Sequence, residues 1–222
     1  MSTEQEARRG VVRDSLGVAI ATGTYGLSFG AVGVASGLDV AQTCALSLVM
    51  FTGASQFAMA GVLGSGGTPL AGALTALLLG TRNTLYGLRM APLLGYRGWR
   101  RIAAAQVLID ESTAMSVTRP SRELARTGFL TTGLTIFVLW NLTTLAGAVA
   151  GEQLGDPRDL GLDAAVGAAF LALLWPRLST PVLRATAVLA ALVAAGAVTV
   201  TPAGVPVLVA AGVAVLVGAL TR

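Results

Sequence analysis

Four charged side chains stand inside stretches otherwise apolar enough for lipid: Arg82, Arg89, Asp110 and Glu111. Each costs about 2.5–3.5 kcal/mol at the bilayer centre on insertion scales, so each needs a partner or a use. Arg89 lies toward the end of its segment and can reach the interface. Asp110 and Glu111 sit centrally in 102–118, where that escape is harder. In LGTRNTLYGLRMAPLL, 79–94, Arg82, Tyr86 and Arg89 share one helix face, with Asn83 and Met90 beside it. In AAAQVLIDESTAMS, 103–116, Gln106, Asp110 and Thr113 share another. A guanidinium and a carboxylate neutralise each other in a low dielectric, so Arg82 is expected to face Asp110 or Glu111. Such a pair either only fixes helix positions or belongs to a site. The surplus of Gln56, Asn83, Tyr86, Gln106, Ser112 and Asn141 favours a site.

A second group of polar residues interrupts FTGASQFAMAG, 51–61. Lipid offers Gln56 no hydrogen bond, and Gly53 weakens a helix. Gly53 with Ser55 is expected to unwind the segment near mid-membrane and leave a half-helix N-terminus. Free N–H groups there attract a carboxylate, unwound carbonyls attract a cation, and Thr52 and Gln56 add neutral hydrogen bonds. The plainer reading is a close crossing of small residues with Gln56 bonded across it.

These residues need a membrane scaffold to hold them. The chain is 54% hydrophobic and 12% charged, against about one quarter charged in soluble domains. That composition predicts one integral domain over 1–222: an all-α, polytopic transmembrane helical bundle of about six to eight segments. Apolar segments fall at about 15–36, 42–63, 69–94, 102–118, 127–150, 163–176, 181–200 and 203–220. Fifteen arginines and no lysine cluster in connectors, the pattern of a topology signal and not of a nucleic-acid footprint. Arg8, Arg9, Arg13, Arg119, Arg122, Arg126, Arg177, Arg184 and Arg222 fall on one side, which places the N-terminus in the cytoplasm. GYRGWRR, 95–101, lies on the wrong side if all eight segments cross. A re-entrant or broken segment within 42–94, with 102–118 dipping in and returning, brings Arg97, Arg100 and Arg101 back. Both topologies stay open at this level.

Gly23, Gly26, Gly30, Gly33 and Gly37 recur every three or four residues, a helix-packing stripe for another part of this chain or for a second subunit. There is no histidine and one cysteine, Cys44. The usual metal ligands, Ser–His or Cys–His nucleophiles and an internal disulfide are thereby excluded, and no cofactor motif is present.

FTGASQFAMAG, ALTALLLGTRNTLYGLRMAPLL (73–94) and LIDESTA (108–114) together resemble the AzlC-type branched-chain amino-acid permease family, in order and spacing over most of the chain. Trp140 before Gly147 and Gly151, and Trp175-Pro176 after an apolar run, agree more loosely. The resemblance implies a prokaryotic inner-membrane subunit that exports branched-chain amino acids with a small AzlD-type membrane partner. It carries function onto Gly53, Ala54, Ser55, Gln56 and Phe57, onto Arg82, Leu85, Tyr86 and Gly87, and onto Asp110 and Glu111. Family members often have histidine after the motif arginine; Asn83 stands there here. Proton coupling, if used, must then rely on Asp110, Glu111 or another carboxylate.

The reading from residues and resemblance together is a secondary exporter of small hydrophobic amino acids, not an enzyme, with no cofactor and no metal. Substrate contacts are expected from Thr52, Gly53, Ser55, Gln56, Arg82, Asn83 and Tyr86, and ammonium or proton contacts from Asp110 and Glu111. A passive pore subunit and a non-transporting scaffold are the rival classes.

Overall fold

The computed structural model describes residues 3–153, 171, 174–175, 178–201 and 205–221; most of the apolar run at 163–176 lies outside them. Among the described residues the protein is all-helical. Helices α1 (Thr3–Gly23) and α2 (Gly26–Ala35) are joined by the Thr24–Tyr25 turn. The polar N-terminal stretch is helical too, so α1 begins well before the apolar run.

Next come α3 (Val40–Val49), α4 (Gly53–Gly64), α5 (Pro69–Leu94), α6 (Trp99–Gln106), α7 (Asp110–Val117) and α8 (Arg122–Gln153). After these follow α9 (Pro181–Val198) and α10 (Val205–Leu220). Local signals set several ends. Asp39 and Gln42 form a capping box on α3, with Asp39 Oδ1 2.7 Å from the Gln42 N–H. Thr68 caps α5 ahead of Pro69, and Gly95 closes it at φ 64°.

The scaffold is a parallel pair, α1/α2 beside α8. Val11 lies at Gly128, Gly23 at Leu139, and Gly30 at Thr144 and Ala148. Glycines let the two backbones touch. A Cβ at Gly30 would fall on the Thr144 carbonyl and lie 2.6 Å from Ala148 N; one at Gly147 would fall on the Leu27 carbonyl. The stripe is therefore mostly an internal seam: Gly23, Gly26 and Gly30 meet α8, and Gly33 meets Thr43 of α3. Gly37 differs, lying past the end of α2 at φ 90° with open space around it.

The segments 42–63 and 102–118 do not cross as single helices. Each is a pair of half-helices folded into a V. A straight rod over 40–64 would separate its ends by roughly 37 Å. Instead Gly33 abuts Thr43, and Gly64 packs on Ser36, three residues before the start of α3's cap. Both ends of the first hairpin thus lie at the far end of α2. The second hairpin starts just after Gly95, and its return end leads to Arg122, whose guanidinium lies against Gly95. Arg126 donates to Leu94 O at 2.7 Å and sits over the Tyr96 ring at 4.9 Å.

Between the hairpins α5 crosses the whole bundle, from the Ser36 end to the start of α8. This is the re-entrant topology, and it puts Arg97, Arg100 and Arg101 on the face that holds Arg8, Arg9, Arg13, Arg119 and Arg122. Arginine distribution and chain path then agree.

The interlocked seam makes a sharp test. Gly30→Ala and Gly147→Ala push α2 and α8 apart and are expected to lower the melting temperature in detergent by several degrees. Gly17→Ala, which meets nothing within 4 Å in mid-helix, is expected to leave it unchanged or raise it. Fluorescence-detected thermal melting of the three variants checks this.

Candidate functional site

The first break lies at Met50–Thr52, just ahead of the glycine expected to cause it. Met50 adopts φ −103°, ψ 67°, Thr52 is extended, and Gly53 is already the first residue of α4. The Thr52 side chain makes no cap bond, so the N–H groups of α4's first turn face the break. Gly53 serves by being small: a Cβ there would lie 2.9 Å from Trp140 Cη2. Ser55 Oγ donates to Ala76 O on α5 at 2.9 Å.

Gln56 is fully buried, and it holds the break together. Its Nε2 donates to Met50 O at 2.7 Å and reaches Ser47 O at 3.4 Å. Its Oε1 accepts the Trp140 indole N–H at 2.9 Å. A single amide thereby satisfies freed backbone on α3 and a buried donor on α8. Trp140 stacks on Phe29 at 6.3 Å and 23° and meets Phe57 edge-on at 6.4 Å.

The second break lies at Val107–Ile109. Ser112, also fully buried, accepts the Ile109 N–H at 3.0 Å and donates to Val107 O at 2.7 Å. Asp110 and Glu111 occupy the first turn of α7, where the helix dipole favours negative charge. Asp110 Oδ2 lies 3.0 Å from an Arg82 terminal nitrogen, and both side chains are about one quarter exposed, 24% and 26%. The expected pair is formed, with both side chains only partly covered by the described residues.

The tips of the hairpins meet. Gln106, last residue of α6, donates from Nε2 to Leu48 O near the end of α3 at 2.8 Å. Phe51 packs edge-on against Phe137 at 5.0 Å, and a Cβ at Gly133 would lie 2.9 Å from Val107 O. Along α5, Met59 abuts Gly72 and Ser55 bonds at Ala76. Continuing that antiparallel register sets Thr52 and Gly53 level with Gly80 to Asn83. Asp110 binds Arg82, and Leu108 touches the Gly87 position at 3.5 Å. Two half-helix N-termini therefore flank one turn of α5.

The expected site residues thus gather from three elements at one depth. Thr52, Gly53, Asn83, Tyr86 and Glu111 are half-buried. Arg82 Nε, Asn83 Oδ1 and Asn141 Oδ1 are shielded and hold no hydrogen bond within the described chain, which leaves capacity for a polar ligand. The side-chain groups of Gln56 and Ser55 are bonded inside the protein. Arg89 is exposed on α5. Trp140 is the participant that residue patterns undervalue: it reads as a family landmark, whereas its indole N–H, which demands an acceptor when buried, is the telling signal. A separate cavity of about 330 Å³ opens on the arginine-rich face between Arg8, Tyr96, Glu123 and Arg126.

A family model described as AzlC protein matches residues 17–154, a span that includes both hairpins, α5 and α8. No curated protein and no solved structure matches the chain.

Breaking the ion pair from one side strands a partly buried charge. Arg82→Gln and Asp110→Asn are each expected to destabilise by about 1–3 kcal/mol, with the double variant less affected than the two losses added together. A double-mutant cycle on thermal or denaturant unfolding in detergent measures that coupling.

Proposed function

The chain belongs to the AzlC family, a family of membrane proteins associated with branched-chain amino-acid transport, and from that premise we propose that it is the large subunit of a secondary exporter of branched-chain or other small hydrophobic amino acids. The supporting observation is the convergence of two differently charged helix N-termini on Arg82. At α4 the first turn carries no acid and no side-chain cap, which suits a substrate carboxylate. At α7 the first turn carries Asp110 and Glu111, which suits an ammonium.

Arg82 stands between them. In the empty site it binds Asp110; an entering zwitterion offers its carboxylate to Arg82 and its ammonium to Asp110, replacing one ion pair by two. Thr52, Asn83 and Tyr86 line the remaining polar edge, and Gln56 and Ser55 hold the first hairpin in register. Phe51, Ile109 and Phe137 supply apolar surface for an aliphatic side chain. The arginine-rich face is cytoplasmic, the membrane is the bacterial inner membrane, and the exposed helices α9 and α10 and the outer side of α5 leave room for a small AzlD-type helical partner.

Efflux of labelled valine or leucine from everted vesicles holding the chain and its partner is expected to fall at least about tenfold in Arg82→Ala and in Asp110→Asn protein that still inserts. Normal efflux in both variants removes the site from these residues. If a carboxylate carries a coupling proton, an imposed pH gradient speeds efflux. That response is expected to vanish in the Asp110→Asn/Glu111→Gln protein; a response that survives both changes rejects the carboxylates as carriers. Conductance without saturation or counterflow would favour the pore reading instead.

A further inference from the structure

The two hairpins are members of two larger units. Residues 40–94 run as half-helix, three-residue break, half-helix and long helix; residues 99–153 repeat that order. Their directions are opposite. The first hairpin enters from the Ser36 end and α5 leaves at the arginine-rich face; the second enters at the arginine-rich face and α8 leaves toward the Ser36 end. Aligning Met50–Thr52 with Val107–Ile109 pairs Ser55 with Ser112 and Asn83, the neighbour of Arg82, with Trp140.

That alignment gives the polar contacts a pattern. The first hairpin is tied by Gln56 to Trp140 on the long helix of the second unit, at 2.9 Å. The second hairpin is tied by Asp110 to Arg82 on the long helix of the first unit, at 3.0 Å. The two anchoring residues on the long helices stand at adjacent equivalent positions. Gln106 to Leu48 O joins the tips themselves. Each hairpin is therefore latched across to the opposite unit, one latch neutral and one ionic.

We propose that residues 40–94 and 99–153 form an inverted duplication whose two crossed latches, Gln56–Trp140 and Arg82–Asp110, gate one site from opposite faces. Trp140 is a positioning residue of that cycle. Releasing its indole lets the first hairpin swing toward the Ser36 end; releasing Asp110 lets the second swing toward the arginine-rich face. Because the tips share the Gln106–Leu48 contact and one depth of α5, the opening of one hairpin seats the other more firmly. The proposal rests on reading the breaks as a transport site, and it turns that reading into alternating access instead of a pore.

Gating is read without substrate, so failure here and failure of the transport assignment are distinguishable. In Cys44→Ser protein, which lacks the sole native thiol, single cysteines are placed at Ala54→Cys and Leu108→Cys, both half-buried at the tips. A membrane-impermeant maleimide is applied to whole cells and to everted vesicles. Trp140→Phe keeps an aromatic ring beside Phe29 and Phe57 and removes the N–H together with part of the indole's bulk. It is expected to raise labelling at position 54 from one face about fivefold and to lower labelling at position 108 from the other.

Asp110→Asn is expected to do the reverse. Gln56→Met breaks the neutral latch from its other end and serves if the tryptophan variant does not insert. Variants that alter only their own hairpin, or neither, while remaining folded overturn the proposal. Loss of efflux with reciprocal labelling intact would leave it standing.

Discussion

A helix interrupted in lipid must find protein partners for every peptide group it frees, since the bilayer core supplies none. The rest of this structure follows from that constraint. Three side chains meet it: Gln56 takes Met50 O, Gln106 takes Leu48 O, and Ser112 takes both the Ile109 N–H and Val107 O. Each would be a poor choice in an unbroken membrane helix. Because neutral amides and a hydroxyl take the freed groups named here, the charged groups are spared for other work, and Arg82 and Asp110 stand partly exposed instead of deep inside the packing.

The hairpins need a rigid wall, and the α2–α8 seam supplies one. Backbone contact through Gly30 and Gly147 brings Trp140 to a fixed depth, where its ring closes over Phe29 and Phe57. Larger residues along that seam would lift Trp140 away from Gln56 before they disturbed any polar group directly. Packing in one place thus sets hydrogen bonding in another, and the fit leaves little slack.

How far sequence alone reaches here depends on whether a signal is local. The bounds of α5 are legible to the residue, because Thr68-Pro69 and Gly95 mark its ends chemically. That Arg82 pairs with Asp110 or Glu111 is legible because an apolar setting leaves a guanidinium few other choices; that it is Asp110 is seen only in the fold. The position of the first break is not: Gly53 looks like the weak point, yet it is retained for clearance beneath Trp140, and the chain unwinds just before it. The choice between crossing and dipping segments turns on Arg97, Arg100 and Arg101, and only contacts such as Gly64 with Ser36 decide it. Trp140 is hidden because its partner is distant along the chain. The glycine stripe is legible as a stripe, but not that Gly37 leaves it to make a turn.

The Arg82–Asp110 pair also bears on the electrical behaviour of the molecule. An uncompensated charge carried through the membrane field exchanges about 2.3 kcal/mol with every 100 mV of potential. A guanidinium and a carboxylate held 3.0 Å apart present a small dipole to that field and, as a pair, no net charge, and a bound zwitterion spread across the same two groups adds none. Under the proposed reading, the zwitterion's own passage across this pair therefore moves no charge, and any response of turnover to voltage must come from a coupled ion.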